Sequence, residues 1–306
     1  MTRRGWLLFA ALSLFWGIPY LFIRVAVVEI DPLLLAFGRT FLGALLLLPF
    51  ALRQGALRPL LRHWRWILLY TGIEIIVPWF MLGHAETRLN SSTTGLFIAV
   101  VPLIAAIILG RLGHDRFDAR RITGLLLGFA GAALLVGLDV HVDDLVSVGA
   151  LALVTIGYAV GPIIISRKLS DLPPLGVITA SLMISAVVYA PFTPLVWPDR
   201  MVSAQAISSV VVLAVVCTAG AFLVMFALIA EVGPSRMTFI TYINPAVAII
   251  LGAVVLQEPL TIGLAIGFPM VIIGSILGTW KSKAPPPEAA GTGPELDDEP
   301  TSSVKP

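Results

Sequence analysis

The chain has 306 residues, of which 58% are hydrophobic and only 12% charged, and its formal net charge is +2. Soluble domains carry about twice that share of charged residues. The composition therefore excludes an ordinary soluble protein, and no basic patch interleaved with aromatic residues suggests binding to nucleic acid. The single cysteine, Cys217, excludes an intrachain disulfide. Long apolar runs between short charged segments predict an all-α polytopic membrane protein.

Ten apolar segments are long enough to cross a bilayer as helices. In chain order they are residues 6–28, 33–52, 65–85, 91–110, 122–139, 147–166, 174–195, 208–230, 236–256 and 261–280. The first run is too long for a signal peptide, and no small-residue cleavage site follows it. Residues 284–306 are rich in Pro, Glu, Asp and Ser, so we predict a disordered tail there.

The basic residues predict the orientation of these spans. All but four of the 20 Lys and Arg residues lie on the side that holds both termini, and the exceptions are Arg24, Arg39, Arg88 and Arg200. Turns on the opposite side carry acidic residues such as Glu29 and Glu258. Because short basic loops stay in the cytoplasm, we predict that both termini are cytoplasmic.

The chain contains an internal repeat in which corresponding residues are 143 positions apart. Ser92, Pro102, Asp115, Gly124 and Gly131 correspond to Ser235, Pro245, Glu258, Gly267 and Gly274. A weaker match at 142 positions pairs Trp16, Pro32 and Pro49 with Tyr158, Pro174 and Pro191. The halves, 1–140 and 141–283, each hold five predicted spans. Because five is odd, the second half enters the bilayer inverted, as in transporters that work by alternating access about a midplane site.

Small residues mark one face of the fifth and tenth spans. The glycines are Gly124, Gly128 and Gly131 in the fifth span, and Gly263, Gly267 and Gly274 in the tenth. Such a stripe lets two helix backbones approach closely. We therefore predict that each of these spans packs tightly against another helix.

Two charged residues are embedded in predicted spans. Glu74 lies in the middle of the third span, where a charged side chain costs about 2.5–3.5 kcal/mol on insertion scales and burial favours the protonated form. We predict either a proton-coupling or substrate-amine site at Glu74, or a structural carboxyl group that pairs with Arg39. Arg39 keeps its charge, so it must face a carboxylate, water or an anionic group of a substrate.

Five aromatic or polar residues are candidates for lining a substrate cavity: Trp16, Tyr20, Tyr158, Tyr242 and Asn244. Trp16 and Tyr20 share one helical face beside Pro19, which frees a backbone carbonyl. Tyr158 is the repeat counterpart of Trp16. Ordinary helix packing is the alternative for all five, and for Asn244 a hydrogen-bonded bridge between helices is slightly favoured.

His84 and Glu86 end the third span on its predicted outer side. We expect either an exposed, solvated pair or a gate and entry point for protons. The sequence contains no metal-ligand cluster, nucleophile elbow or phosphate-binding loop. We therefore predict no bound metal, no cofactor and no enzymatic activity.

Three runs form a recognisable family pattern: Leu14–Pro19 with Asp31, Pro32 and Arg39; Ala85-Glu86 through Ser91-Ser92 to Val101–Leu103; and Asn244-Pro245 with Gln257–Leu260, Gly267 and Gly274. In order and spacing they resemble EamA-type permeases of the drug/metabolite transporter superfamily, over about residues 6–280. The resemblance implies a ten-helix, inverted-repeat transporter of a bacterial-type inner membrane, often an exporter. The family usually has Gly-Glu after the fourth span, whereas this chain has His114-Asp115.

The sequence therefore predicts a secondary transporter of small organic solutes, such as metabolites, amino acids or drugs, that exports by alternating access and couples to protons through Glu74. The alternatives are an intramembrane enzyme that uses Glu74 and His84, and a non-transporting receptor or scaffold. The enzyme is disfavoured because these two residues are nearly three helical turns apart. The predicted partners are a small-molecule substrate and the lipid bilayer, and the oligomeric state stays open, a homodimer included.

Overall fold

The structure, a computed structural model, describes residues 2–112, 118–139, 141, 144–233 and 240–279. Within these residues every regular element is helical. The features predicted at His114, Asp115 and Ser235, and the predicted tail at 284–306, lie outside the described residues.

Ten helical segments follow one another along the described ranges. They are α1 Arg3–Ala26, α2 Pro32–Arg53, α3 Arg58–Glu86, α4 Ser91–Arg111, α5 Ala119–Asp139, α6 Leu145–Leu169, α7 Pro174–Val196, α8 Ala204–Val232, α9 Ile240–Val255 and α10 Ile262–Thr279. Nine of these segments are long and apolar enough to cross a membrane, whereas α9 is a shorter apolar helix of 16 residues. The predicted span at 236–256 corresponds to α9, and its first four residues lie outside the described ranges.

Several helices are interrupted along their length. α1 is broken at Ile18, directly before Pro19, and α4 is broken shortly before Pro102. Proline lacks an N–H group, so a carbonyl one turn earlier loses its helical partner. α3 and α8 instead contain internal π-helical turns, at Gly72–Ile76 and Val215–Gly220, and α6 ends in a third one, at Ile165–Leu169.

Contacts between helix ends and loops gather at two ends of the helix bundle. The end that is predicted to face outward holds the pairs Glu29–Ser203 and Ser91–Glu258. The end that is predicted to face the cytoplasm holds the pairs Thr2–Glu231 and Ala56–Gly176. The helices therefore run up and down between these two ends.

Three pairs of repeat-related helices pack against each other: α2 with α7, α4 with α9, and α5 with α10. Their contacts are Gly43–Leu182 and Ala56–Gly176, then Gly95–Ala248 and Ser92–Gly252, and then Gly124–Gly274 and Gly131–Gly267. In every pair the residue numbers rise along one helix and fall along the other, so each pair is antiparallel. The glycines let the backbones of α5 and α10 meet directly, which confirms the predicted close contact.

The surface around the sides of the bundle, away from its core, carries large apolar side chains. Leu7 and Val187 are each 72% exposed, and Leu126 is 68% exposed. In water such a surface would be unfavourable, whereas in a bilayer it faces lipid chains that are equally apolar. The packed core and this outer surface together are those of a helical membrane protein.

Candidate functional site

The π-helical turn Gly72–Ile76 interrupts α3 at the level of Glu74. Pro78 follows the turn and has no N–H group to donate, and the Val77 N–H bonds to the Gly72 carbonyl, five residues back. The turn places the Glu74 carboxyl group against Gly161 of α6, where an added Cβ atom would lie 2.7 Å from Glu74 Cδ. A side chain at position 161 would therefore displace the Glu74 carboxyl group. Single π-helical turns within α-helices occur often at functional sites.

The Glu74 carboxyl group is incompletely paired. Its Oε2 atom is enclosed and has no hydrogen-bond partner in the part of the chain that the structure describes. Tyr70 and Tyr158 lie within electrostatic range of it. Arg39, the partner considered from the sequence, hydrogen-bonds elsewhere. Because an unpaired buried charge is costly, this carboxyl group is suited to carry a proton or to receive a cationic group.

α8 contains an equivalent irregularity. Its π-helical turn, Val215–Gly220, begins 143 residues after the turn in α3, which is also the offset of the sequence repeat. Within it, the Thr218 hydroxyl donates to the Leu213 carbonyl at 2.8 Å. The turn in α3 packs against Gly161 of α6, and the turn in α8 packs against Gly43 of α2. Each turn therefore contacts a helix of the other half of the chain.

Arg39 of α2 is buried, with 8% of its surface exposed. Its Nε donates to Thr218 Oγ1 at 2.9 Å, and its Cζ lies 3.7 Å from the centroid of the Trp79 ring. The second contact is a cation–π interaction. Between Arg39 and the carboxylates of the described residues, the structure contains no ion pair.

Tyrosines from three helices lie near Arg39. Tyr20 of α1, Tyr158 of α6 and Tyr189 of α7 lie within electrostatic range of its guanidinium group. Tyr189 donates its hydroxyl to the Ile76 carbonyl at 2.5 Å, so it also supports the irregular region of α3. We call Tyr20, Arg39, Trp79, Tyr158 and Thr218 the Arg39 cluster. Its members come from both halves of the chain.

Glu86, the last residue of α3, is fully buried, with 0% exposure. The prediction of an exposed pair at this helix end is wrong for Glu86. Other segments cover the end: Arg24 of α1 donates from Nη1 to the Glu86 carbonyl at 2.5 Å, and Glu258 and Arg39 lie within electrostatic range of the carboxyl group. Both carboxyl oxygens lack a hydrogen-bond partner among the described residues. His84 is partly buried beside the Phe80 ring, at 6.4 Å between ring centroids.

An open cleft of about 450 Å³ lies at the predicted outer end, and residues of both halves line it, among them Arg24 and Glu258. The Glu258 carboxylate accepts hydrogen bonds from the backbone N–H groups of Ser91 and Ser92, at 2.8 and 3.0 Å, and from the Ser92 hydroxyl at 2.5 Å. These N–H groups begin α4, where unpaired donors and the helix dipole favour an anion. Glu258 therefore holds the N-terminal end of α4 to the loop before α10.

A second carboxylate makes the same kind of contact nearby. Glu29, in the loop between α1 and α2, accepts from the Ser203 backbone N–H at 2.7 Å and from its hydroxyl at 2.6 Å. These hydrogen bonds hold the pKa of Glu29 below its usual range. Ser203 precedes α8, so both contacts, which we call the outer carboxylate contacts, join the first half of the chain to the second.

The remaining candidate residues lie against neighbouring helices. The Trp16 ring meets the Phe222 ring of α8 edge-on, with 6.3 Å between centroids. The Asn244 amide nitrogen, oriented towards them, lies 3.2 Å from the Ser13 carbonyl and 3.1 Å from the Ile240 carbonyl, and so joins α1 to α9. Tyr242 hydrogen-bonds the Thr279 hydroxyl of α10 at 2.7 Å.

Sequence reasoning did not select two residues that contact Arg39, namely Trp79 and Thr218. Pro78, four residues after Glu74, was a signal that the backbone of α3 is irregular. For Thr218 the local sequence held no comparable signal, because its contact with Arg39 joins residues 179 positions apart.

A model of the EamA-like transporter family matches the chain twice, over residues 3–137 and 146–280. The chain belongs to the EamA-like transporter family. It is therefore a membrane transporter, and the family assignment favours transport over the intramembrane enzyme or receptor.

Curated relatives of this EamA-like protein carry transporter names. It is 28% identical over 298 residues to the uncharacterized transporter YvbV of Bacillus subtilis, covering 93% of this chain and 94% of that one. It is 26% identical over 250 residues to the uncharacterized inner membrane transporter YedA of Escherichia coli K12, covering 79% of each chain. A solved crystal structure, described only as that of a protein, matches with a TM-score of 0.64 at 19% identity, over 91% of this chain and 97% of that one, and supports the fold.

Proposed function

We propose that this protein is a secondary transporter that exports small organic solutes by alternating access. The observation that carries the proposal is the pair of π-helical turns in α3 and α8, which lie 143 residues apart and each contact the other half of the chain. Irregular stretches within α-helices often mark hinges and functional sites. Two such turns, at repeat-related positions, allow one side of the junction to open while the other closes.

The antiparallel packing of repeat-related helices supports an inverted repeat. In α2 with α7, α4 with α9 and α5 with α10, the corresponding helices run in opposite directions. Ten membrane spans in two inverted halves, 1–140 and 141–283, account for this packing. In that arrangement a single solute site lies between the halves, near the Arg39 cluster and Glu74.

The outer carboxylate contacts would serve as the outer gate. Glu29–Ser203 and Glu258–Ser91 both join the first half to the second at the predicted outer end. Opening that end requires both contacts to break. Each carboxylate then loses its charge-assisted hydrogen bonds to serine groups and is hydrated by water instead. The structure then corresponds to a state that is closed towards the outside.

Proton coupling is proposed through Glu74, with Glu86 as a second proton-binding residue nearer the outside. Both carboxyl groups have enclosed oxygen atoms without a hydrogen-bond partner within the described ranges. A buried carboxyl group in this setting is neutral or bound to a cation. We place His84 beside this route, as a residue of the outer gate.

We further propose that the protein resides in a bacterial-type inner membrane with both termini in the cytoplasm. The name of the Escherichia coli relative and the distribution of basic residues support this placement. Substrate and lipid are the proposed partners, and a homodimer stays a prediction.

Counterflow in proteoliposomes tests the transport proposal. Vesicles containing the purified protein are loaded with an unlabelled solute, and uptake of the labelled solute is followed for a panel of amino acids, organic acids and cationic dyes. We expect exchange of at least one solute class above that of protein-free vesicles. If no solute class exchanges, the transport proposal is wrong.

A variant pair tests coupling separately. Glu74→Gln keeps the shape of the side chain and removes its titration, so we expect it to retain counterflow but to lose accumulation driven by a pH gradient. Asp171→Asn, on an exposed loop, removes one carboxylate in the same way and should behave as the unmodified protein. If Glu74→Gln still accumulates solute with the same pH dependence, Glu74 does not couple transport to protons.

A further inference from the structure

Arg39 is a buried cation whose charge no contacting carboxylate balances. It lies seven residues after Pro32, the first residue of α2, so it is about 10 Å inside the helix end at 1.5 Å per residue. At that depth an arginine is expensive and is normally paired with an acid or turned to a polar cavity. No acid pairs with it in the described ranges, and 8% of its surface is exposed. This exposed part of the Arg39 side chain can therefore meet a ligand.

The contacts that Arg39 makes fix its position but do not use its two terminal amino groups, which together form a fork of N–H donors. Nε bonds to Thr218 Oγ1, while the Thr218 hydroxyl donates its own proton to the Leu213 carbonyl. Thr218 therefore acts towards Arg39 as a pure acceptor. The Trp79 ring covers one face of the guanidinium group. The two terminal amino groups have no hydrogen-bond partner among the residues that the structure describes.

A guanidinium group held in this way is suited to bind a planar anion. Its terminal N–H groups form a rigid fork that matches the two oxygens of a carboxylate. Thr218 and Trp79 hold the fork in place, so little side-chain freedom is lost when an anion binds. Lysine could not do the same, because its ammonium group is a flexible point charge.

The charged and titratable groups around Arg39 agree with an anionic ligand. Tyr20 and Tyr158 lie within electrostatic range and carry hydroxyl groups that can donate to an anion. Tyr189 lies within the same range, but its hydroxyl donates to the Ile76 carbonyl. Cys217 lies beside Thr218 in the same range. Glu86 is the acid that lies within range, but its carboxyl oxygens make no hydrogen bond to Arg39.

We propose that Arg39 binds the carboxylate of the transported solute, whose apolar or aromatic body lies against Trp79 and Tyr20. The inference rests on the proposed transport function and narrows the solute class to small organic carboxylates. Glu86 then competes with the solute for Arg39 within the protein, since both carry a carboxyl group that this guanidinium can attract.

Matched ligand pairs test the proposal on the purified full-length protein. The probes are benzoate with benzamide, phenylacetate with phenylacetamide, and 3-phenylpropionate with its amide, and binding is measured by ligand-dependent thermal stabilisation and tryptophan fluorescence. We expect at least one carboxylate to bind at least tenfold more tightly than its amide. Equal binding within every pair, or no binding by any member of the panel, overturns the proposal.

Variants identify the residue that produces this preference. Arg39→Gln should abolish the difference between carboxylate and amide, and Arg39→Lys should retain only part of it. Arg88→Gln removes one positive charge from an exposed loop residue and should leave the preference unchanged. If Arg39→Gln keeps the carboxylate preference, the site lies elsewhere.

A further variant keeps the test decisive if Arg39→Gln fails to fold. Thr218→Val removes the acceptor for Nε while the charge stays, so we expect carboxylate binding to weaken several-fold with the amide unaffected. Counterflow restricted to neutral or cationic solutes would overturn the carboxylate site and leave the transport proposal intact. If the protein binds carboxylates but exchanges no solute in counterflow, the transport proposal is wrong and the carboxylate site stands.

Discussion

The contact between α5 and α10 makes a quantitative prediction about Gly124. A Cβ atom added at Gly124 would lie 2.8 Å from the Gly274 carbonyl oxygen and 2.8 Å from the Leu277 carbonyl carbon, whereas ordinary contact begins at 3.4 Å. Both atoms belong to the backbone of α10, so no side chain can rotate away. The Gly124→Ala substitution must therefore push the two helices apart by about half an ångström or more. Overpacking of this kind costs about 1–3 kcal/mol.

The same helix supplies the matched control. An added Cβ at Gly137 meets no atom within 4 Å, so Gly137→Ala changes helix propensity, by up to about 1 kcal/mol in favour of alanine, without changing a contact. Gly124→Ala receives a similar propensity gain, and the difference between the two variants isolates the packing cost. We expect Gly124→Ala to unfold at a temperature several degrees below Gly137→Ala, with a free-energy difference of about 1–3 kcal/mol.

The assay is thermal unfolding of the purified protein in detergent, with size-exclusion chromatography as a check on aggregation. Gly274→Ala offers an independent approach to the same contact, because its Cβ would lie 2.6 Å from the Gly124 carbonyl oxygen. One separation of the helices relieves both clashes, so the double variant should cost less than the sum of the single ones. Equal unfolding temperatures for Gly124→Ala and Gly137→Ala would refute the reasoning.

Three further predictions concern polar contacts between helices. The Thr71 hydroxyl donates to the Ser181 hydroxyl at 2.8 Å, and both residues are fully buried. Ser181→Ala should therefore lower the free energy of unfolding by about 1 kcal/mol. In a double-mutant cycle, Ser181→Ala combined with Thr71→Val should cost less than the sum of the two single variants. Glu258→Gln should lower the unfolding free energy by about 1 kcal/mol, since the anion at the start of α4 is lost, and an unchanged value would contradict that role. Because the pKa of Glu29 is lowered by its contact with Ser203, the stability it adds is complete above the unfolded-state pKa and disappears as the pH falls through the folded-state pKa. The difference in melting temperature between the unmodified protein and Glu29→Gln should therefore shrink as the pH is lowered through and below the unfolded-state value of about 4.3, and a constant difference would contradict the assignment.

Most of the helical organisation could be predicted from the sequence because it depends on local composition. A run of about 20 apolar residues is a candidate membrane helix whatever its neighbours are, and nine of the predicted spans correspond to such helices. The glycines of the fifth and tenth spans were likewise visible as small residues on one face. Glu74 and Arg39 stood out for the same reason, since a charge within an apolar run is rare.

The partners of those charges were decided by the tertiary structure alone. In a membrane helix the lipid-facing and bundle-facing sides are equally apolar, so the pattern of residues does not reveal which helices meet. From the sequence Arg39 was one possible partner of Glu74, yet Arg39 bonds to Thr218. Glu86 looked exposed because it ends a helix, yet it is fully buried and Arg24 donates to its carbonyl. The sequence by itself determined which residues lie within the membrane helices, whereas long-range packing of the two halves determined what each of them contacts.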